Sequence, residues 1–205
     1  PQEISRAAAQ ALTKGNIEVP NILKNTPKPN QNPLAELPPN ENRDILVSLA
    51  MKHGIKGVEL AQFLAQTHHE SWGFRHLTEV GPVEKFYKKY DKKNNPSTAR
   101  KLGNTQVGDG YAYRGRGHLQ LTGRYNYTRA AKELGIPLDK KPELASVPQI
   151  GALVSVWYWQ WRVKSRVKDF TDTVEVTRHI NSGLHALEKR QELFDYYSGI
   201  ILGES

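Results

Sequence analysis

The 205-residue sequence contains no cysteine. Disulfide bonds, thiolate catalysis and cysteine-based zinc sites are therefore excluded, and the fold must be stabilised by its core. No run of about 18 apolar residues occurs, so we expect no membrane insertion. The first residues also lack the basic, apolar and small-residue order of a secretory signal.

Acidic residues are outnumbered, since 29 lysines and arginines face 21 aspartates and glutamates, for a formal net charge of +8. A surface of this sign favours polyanions such as nucleic acid, anionic lipid or an acidic cell-wall polymer. The excess has a simpler interpretation as well, which is solubility alone. Charge by itself does not separate these possibilities.

Proline is concentrated near the N-terminus. Six of the twelve prolines lie from Pro20 to Pro39, interleaved with asparagine. Such a stretch cannot sustain a helix or a central strand. We therefore divide the chain into an N-terminal arm or linker, residues 1–39, with one short Ala-rich helix over Ile4–Leu12, and a compact domain, residues 40–205.

Apolar residues recur with helical spacing through the compact domain. Asn40 is a good N-cap for its first helix, and Gly54 closes that helix. A short strand or hairpin is expected in residues 113–122, so the predicted fold class is mainly α with a small β-hairpin element. The predicted helices are Glu41–His53, Val58–Glu70, Val83–Tyr90, Ser97–Leu102, Tyr125–Leu134, Ile150–Trp161, Thr173–Ile180 and Leu187–Leu202.

Three of the four tryptophans lie close together in the segment Val156–Trp161. Trp157 and Trp161 have the i, i+4 spacing of one helix face, and we expect both in the core rather than in a sugar-stacking site. Trp159 points elsewhere and is expected to be exposed.

Two glutamates are candidate catalytic residues. Glu70 ends the predicted second helix, where the negative end of the helix dipole favours the protonated form that a general acid needs. Glu79 follows a predicted helix break at Trp72-Gly73, which allows it to return across a cleft. Acid/base cleavage of a glycosidic bond needs such a pair. The spacing alone is weak, because solvated surface glutamates show the same pattern.

A glycine-rich segment, Tyr113–Gly123, has the sequence YRGRGHLQLTG. Arg-Gly dipeptides also occur in RNA-binding tails, which is one interpretation. The segment runs into the alternating Leu119–Thr122, however, and this order favours a structured cleft wall that presents hydrogen-bonding side chains. We therefore predict no nucleic-acid partner.

Histidines beside Glu70 raise the question of a metal site. The zinc-protease motif needs a histidine three residues after the glutamate, and Gly73 stands there. We expect no metal; His68 or His69 packs beside Glu70 or lines the cleft. The turn Asn181-Ser182-Gly183 has two interpretations, a simple helix-ending turn or an amide presented to a sugar.

Taken in order, these segments resemble glycoside hydrolase family 19, the chitinases, and especially its bacterial and phage branch of peptidoglycan-degrading endolysins. The resemblance covers roughly Asn40 to Gly203. It rests on Phe63–Ser71 with the downstream Glu79, Gly103–Thr105 with Asp109–Tyr111, Tyr113–Gly123 with Tyr125–Tyr127, the tryptophan-rich helix, and Ile180–Gly183 with Arg190. One departure is Ser182, which occupies the second position of the family's closing Asn-Gly-Gly turn.

The resemblance implies a lysozyme-like, two-lobed helical fold around a substrate groove. It assigns Glu70 as general acid and Glu79 as general base, with Thr122 holding the attacking water. The family inverts the anomeric centre, which agrees with carboxyl groups about 6.5–9.5 Å apart. Gln120, Asn126 and Asn181 match substrate-binding positions, and Arg190 matches an arginine that supports the acidic pair. The full predicted substrate-binding set is His69, Tyr113, Arg116, Gln120, Asn126, Asn181 and Arg190.

We therefore predict an inverting peptidoglycan hydrolase that cuts the β-1,4 bond between amino sugars without a cofactor, and whose partner is the glycan strand. It is expected to be phage-encoded and to pass from the host cytoplasm to the periplasm and cell wall. A virion-associated form would contact the phage particle through residues 1–39. The alternatives are a chitinase with the same machinery and a non-catalytic wall-binding phage structural module.

Overall fold

Helices dominate residues 32–203, the part of the chain that the computed structural model describes. The mainly α fold class is thereby confirmed. In addition to the α-helices, a 3-10 helix spans Pro142–Ser146 and a π-helical turn spans Trp159–Lys164. The α-helices are α1 (Glu41–Lys52), α2 (Gly57–Glu70), α3 (Val83–Tyr90), α4 (Pro96–Leu102), α5 (Asp109–Ala112), α6 (Arg124–Leu134), α7 (Pro148–Tyr158), α8 (Thr173–Ile180) and α9 (Leu187–Leu202).

The predicted helices agree closely with these bounds. Asn40 caps α1 as expected, because its side chain accepts a hydrogen bond from the main-chain nitrogen of Arg43 (3.0 Å). The structure adds α5 and the 3-10 helix, which the sequence analysis did not predict. They contain four and five residues, too few to show a helical period.

Residues 32–39 of the predicted arm pack against the helical domain. Leu34 is fully buried in the main core, and the side-chain amide of Asn32 donates to Asp44 of α1 (3.2 Å). Packing therefore begins before Asn40. The predicted helix over Ile4–Leu12 lies outside the described residues.

The main core lies among α1, α2, α7 and α9. The contact between α2 and α9 is the most extensive one between helices, and α1 packs on α7. Every residue from Glu59 to Thr67 of α2 is buried, and so is every residue from Ile150 to Trp157 of α7. Among residues 32–203, no helix combines the length and apolarity needed to span a membrane.

The three tryptophans at the end of α7 and in the π-helical turn behave only partly as predicted. Trp157 is buried and stacks on the partly buried Trp161, with ring centroids 5.2 Å apart. The prediction that Trp159 is exposed is wrong, because this residue begins the π-helical turn and its ring packs among apolar side chains, including Phe63 and Phe170. Trp159 is fully buried, stacks on Phe170 and donates its indole N–H to Glu59 (3.0 Å).

A second, smaller group of helices, α3 to α5, forms what we call the small lobe (residues 82–112). Its apolar centre is Phe86, whose ring contacts the ring of Tyr111 (5.8 Å between centroids) and the Arg114 guanidinium (5.6 Å). The buried carboxylate of Asp91 accepts from the main-chain nitrogen of Gly108 (2.7 Å) and thereby ties α3 to α5.

The small β element beside the groove consists of isolated bridges. In residues 113–123, which we call the wall segment, Arg116 pairs with Thr78 and also with Leu121, both antiparallel. Gly117 and Gln120 adopt positive φ angles of 77° and 51°. Both residues lie in the turn between Arg116 and Leu121, and the pairing in this region is limited to the isolated bridges.

Candidate active site

Glu70 is the last residue of α2, as the sequence predicts. Its side chain is one-fifth exposed, and its Oε1 accepts a hydrogen bond from Arg190 Nη2 (2.5 Å). The Arg190 guanidinium thus supplies a positive charge at the negative end of the helix. Among the described residues, hydrogen bonds engage only Oε1, so Oε2 remains available to a ligand.

Arg190 belongs to a buried polar network that links three helices. Besides Glu70, its guanidinium donates to Gln66 of α2 (2.6 Å) and to the His185 carbonyl (3.0 Å). Gln66 in turn donates to Thr177 of α8 (3.0 Å). The arginine is essentially inaccessible to solvent, so the structure places it behind Glu70. It holds that carboxylate in position and makes no contact with Glu79.

Glu79 lies between the wall segment and the small lobe. Its main-chain nitrogen donates to the Gly115 carbonyl (2.8 Å). Its carboxylate accepts from Tyr90 Oη (3.1 Å) and Lys89 Nζ (3.1 Å), and Lys85 Nζ lies 3.5 Å away. The two lysines and the tyrosine belong to α3, so one helix of the small lobe supplies the side-chain partners of this carboxylate, and the main-chain nitrogen of Gly115 adds a longer hydrogen bond (3.4 Å).

The charge state of Lys89 matters for Glu79. Burial by itself lowers the pKa of Lys89, whereas hydrogen bonds and charges from Tyr90 and Glu79 raise it. The second effect is larger, so the pKa of Lys89 lies above its ordinary value. Burial also raises the pKa of Tyr90. Lys89 is therefore a cation and Tyr90 a neutral donor near neutral pH. Both donate hydrogen bonds to the side chain of Glu79.

The predicted polar groups of the wall segment form a connected set. Thr122 donates its hydroxyl to the Gln120 carbonyl (2.8 Å), and the Asn126 amide donates to the Thr122 carbonyl (2.8 Å). The Gln120 amide donates to the Gly117 carbonyl (3.0 Å). These bonds fix the backbone from which the side chains of Gln120, Thr122 and Asn126, all partly exposed, project.

Gly123 ends the wall segment, and only glycine fits there. Its φ is 92°, and a Cβ atom would lie 2.6 Å from the Leu102 carbonyl oxygen. The wall therefore packs directly on the end of α4, which joins it to the small lobe.

Two predicted substrate-binding residues lie inside the wall. The Tyr113 ring is buried, and its hydroxyl donates to the Asp139 carbonyl (2.7 Å). The Arg116 side chain is buried as well, and donates to the Ala112 carbonyl (2.8 Å) and to the Tyr127 hydroxyl (3.0 Å). Tyr113 thus supports the wall from inside, whereas Arg116 also forms part of the lining of the cavity beside Glu79.

The two histidines before Glu70 differ in their surroundings. His68 Nδ1 lies 2.7 Å from the Tyr197 hydroxyl, so this ring packs between helices. His69 is partly exposed, and burial together with the neighbouring Arg190 cation lowers its pKa. His69 is therefore a neutral ring beside Glu70 near neutral pH. Within residues 32–203, no group of three or more His, Asp and Glu side chains is arranged to hold a metal ion.

Asn181 follows α8 and begins its closing turn. Its side-chain oxygen accepts from the main-chain nitrogen of Gly183 (3.1 Å), while its side chain is partly exposed. The oxygen thus stabilises the turn, and the amide nitrogen is left for a ligand. The structure is compatible with both interpretations of this turn.

A cavity of about 850 Å³ opens beside Glu79. Thr78 and Glu79 line one side of it, and Glu143 and Ser146 line another. Arg75 and Arg114 are also part of its lining, whereas Glu70 is not. The structure therefore brings Glu70, Arg190 and His69 together beside the main core. It places Glu79 at the cavity, in contact with α3.

Sequence reasoning missed several residues of this site. Gln66 lies one helical turn before Glu70 on the same face of α2, so its spacing is a signal that could have identified it. Lys85, Lys89 and Tyr90 lie in a predicted surface helix. Nothing in their spacing points to Glu79.

Comparison with known proteins adds independent information. The family model described as Chitinase class I matches residues 49–204. A glycosyl hydrolase family 19 domain-containing protein of Haemophilus influenzae is 32% identical over 161 residues, which cover 68% of this chain and 78% of that protein. An endochitinase of Arabidopsis thaliana is 35% identical over 136 residues, covering 65% of this chain and 42% of its own length. The chain thus spans less than half of that plant enzyme.

Solved structures show the same fold. Chitinase C from Streptomyces griseus aligns with a TM-score of 0.60 at 24% identity, over 79% of this chain and 86% of that one. A class IV chitinase from Zea mays aligns with a TM-score of 0.58 at 20% identity, over 89% of each chain. These alignments confirm the lysozyme-like helical fold that the sequence resemblance implies.

Proposed function

The chain belongs to glycoside hydrolase family 19, and on that premise we propose that it hydrolyses the β-1,4 bond between amino sugars of bacterial peptidoglycan by single displacement. Family membership makes it a glycoside hydrolase. The observation that carries the assignment of the acid is the attachment of Glu70 to the buried Arg190 at the end of α2. The bond cut, the polymer and the roles of individual residues are the parts we propose.

Glu70 is the general acid in this proposal. Arg190 holds Oε1, and Oε2 faces the bridging oxygen of the glycan and delivers the proton to it. A bound glycan excludes water from Glu70, which strengthens the contact between its carboxyl group and the bridging oxygen. The leaving sugar departs with the proton, and the ionised Glu70 is then stabilised by Arg190.

Glu79 is the general base. A base must be ionised before the reaction, and the lysines and tyrosine of α3 support that state. Glu79 takes a proton from water, which attacks the anomeric carbon from the face opposite the leaving oxygen. Thr122 orients that water through its hydroxyl. The product anomer is inverted because only one displacement occurs.

The charge of the small lobe supports a wall polymer as substrate. Basic residues are frequent from α3 to α4, and the exposed ones are Lys85, Lys88, Lys89, Lys92, Lys93, Arg100 and Lys101. Such a surface attracts anionic polymer over about 10 Å in 0.1 M salt. Peptidoglycan carries carboxylates, whereas chitin is neutral. We also propose a phage origin, with passage from the host cytoplasm to the periplasm and wall, or particle contact through residues 1–39.

A chitinase is the second candidate, because relatives such as the Arabidopsis protein are named endochitinases. The machinery would be the same, and the substrate alone would differ. Lack of preference for the charged polymer would favour this alternative.

The experiment compares release of reducing sugar from purified peptidoglycan and from N-acetylglucosamine oligomers. We expect the wild-type protein to cleave peptidoglycan faster, and mass spectrometry of the released fragments identifies the new sugar end. We expect Glu70→Gln to abolish cleavage of both substrates.

Glu188→Gln is the matched control, since Glu188 is an exposed glutamate on α9. This variant should keep wild-type rates. Cleavage of chitin oligomers alone would overturn the peptidoglycan assignment, and near-normal cleavage by Glu70→Gln would overturn the role of Glu70.

A further inference from the structure

Trp72 is the most exposed large apolar side chain of the described residues. Its side chain is 78% exposed, whereas Trp157 and Trp159 are buried. An indole in water is unfavourable in proportion to its apolar area. A single exposed aromatic ring is not unusual in itself, so its position and backbone must show whether it has a function.

The backbone at Trp72 is strained. Trp72, Gly73 and Phe74 have consecutive positive φ angles of 53°, 71° and 65°. Glycine adopts this left-handed region without cost, but a bulky side chain does not. Strained non-glycine residues of this kind concentrate at functional sites.

The neighbours of Trp72 keep the strained turn in place. Ser71 donates its hydroxyl to the Thr67 carbonyl (2.6 Å) and accepts from the main-chain nitrogen of Phe74 (3.1 Å). The Phe74 ring is buried in the main core. The turn is therefore rigid, and it presents the Trp72 ring to solvent in one orientation.

Trp72 is close to Glu70 along the chain. Only Ser71 separates the two residues, so their Cα atoms are at most about 7 Å apart. The indole meets the edge of His76, with centroids 6.5 Å apart and ring planes at 83°. His76 itself lines the cavity beside Glu79. Trp72 is thus close to Glu70 along the chain and contacts a residue that lines the cavity beside Glu79.

We propose that Trp72 is a stacking platform for the apolar face of an amino-sugar ring next to the cleaved bond. Sugar rings expose C–H groups on one face, and these pack on the negative face of an aromatic ring. His76 makes one near-perpendicular contact with the indole, and most of the Trp72 surface stays open to a ligand. This inference rests on the proposed glycan hydrolysis and specifies one of its substrate contacts.

The test measures binding without turnover. Three proteins are compared, all of which carry Glu70→Gln: one keeps Trp72, one carries Trp72→Tyr and one carries Trp72→Gly. Calorimetric titration with N-acetylchitotetraose gives the Kd of each protein for this oligomer. We expect about tenfold weaker binding for Trp72→Gly and less than about threefold for Trp72→Tyr, because an aromatic contact contributes about one factor of ten. Val107→Ala, at another exposed apolar residue, should leave the Kd unchanged.

Stability provides a readout that separates binding from folding. Trp72→Gly removes the strain of a bulky residue at positive φ, so we expect its thermal midpoint to rise by about 2–4 °C. Weaker binding by a more stable protein cannot result from misfolding. Acrylamide should quench Trp72 preferentially, and N-acetylchitotetraose should protect it.

The outcomes separate this inference from the proposed function. Equal Kd values for the Glu70→Gln protein with and without Trp72→Gly would overturn the platform while leaving glycan hydrolysis intact. Trp72-dependent binding by a wild-type protein that cleaves no glycan would support the platform and overturn the proposed function. Absence of both binding and cleavage would overturn both.

Discussion

The two candidate carboxylates lie in contrasting surroundings. Glu70 ends a buried helix and is held by one inaccessible arginine within a network that joins α2, α8 and α9. Glu79 lies on an irregular segment and is held by half-exposed lysines of α3. The first is fixed by the core, and the second depends on how the small lobe sits. This contrast suits an acid that must be aimed at one oxygen and a base that must admit water.

Replacement of Arg190 should have the largest effect on the buried network around Glu70. Arg190→Met leaves Glu70 without its cation and Gln66 without its donor, and we expect a loss of about 3 kcal/mol in the free energy of unfolding. This is the low end of the range for buried pairs, because Glu70 keeps some contact with water. Urea unfolding measures the change.

Lys189→Met is the matched control, since Lys189 is the exposed neighbour of Arg190 and pairs with Glu192 at the surface. It should cost less than about 1 kcal/mol. Equal losses for the two variants would contradict the importance of the buried network.

Acid should destabilise the folded protein through a buried histidine. His118 in the wall segment is fully buried, and burial lowers its pKa from 6.5 to about 4. The unfolded chain therefore binds more protons between these two pH values, so stability falls as pH falls from 6.5 to 4. The loss is about 3 kcal/mol. Urea midpoints measured across this window should show it.

His118→Gln removes the titrating group at similar volume and isolates this contribution. The variant should show a flatter dependence of stability on pH than the wild-type protein. Parallel curves for the two proteins would indicate that His118 does not titrate as its burial requires.

Substitution of Lys85 and Lys89 tests how much α3 contributes to the function of Glu79. We expect Lys85→Gln/Lys89→Gln to lower the cleavage rate about threefold, because each exposed pair contributes less than about 1 kcal/mol. The rate of the variant should also respond less to salt between low and physiological ionic strength. Steady-state cleavage of a neutral oligomer measures this without effects of polymer charge.

Lys92→Gln/Lys93→Gln removes the same charge from the small lobe at exposed residues that do not contact Glu79. It should leave the rate on the neutral oligomer unchanged. A matching threefold loss in this control would reduce the effect to net charge.

The sequence predicted the surroundings of Glu70 far better than those of Glu79. Apolar spacing gave α2 and α9, and the position of Glu70 follows from where α2 ends. The family resemblance pointed to Arg190. The Trp159 prediction was wrong because periodicity assumes one buried face, whereas α7 and the first residue of the π-helical turn that follows it are buried on more than one face.

The surroundings of Glu79 could not be predicted from sequence. Lys85 and Lys89 reach it only because α3 folds back over the segment that carries Glu79, and that approach is a tertiary event. The wall segment shows the same limit, since alternation suggested a hairpin, while the pairing is limited to isolated bridges around a turn with positive φ angles at Gly117 and Gln120. Local patterns do not reveal where such turns fall.

The most direct measurement of the two roles compares Glu70→Gln and Glu79→Gln on a natural glycan and on a dinitrophenyl β-glycoside of an N-acetylglucosamine oligomer. The aryl group leaves without a proton, so it needs no general acid. We expect Glu70→Gln to lose about 10³-fold on the glycan but less than about tenfold on the aryl glycoside, and Glu79→Gln to lose about 10³-fold on both. The reverse pattern, with the aryl glycoside rescuing Glu79→Gln but not Glu70→Gln, would contradict the assignment.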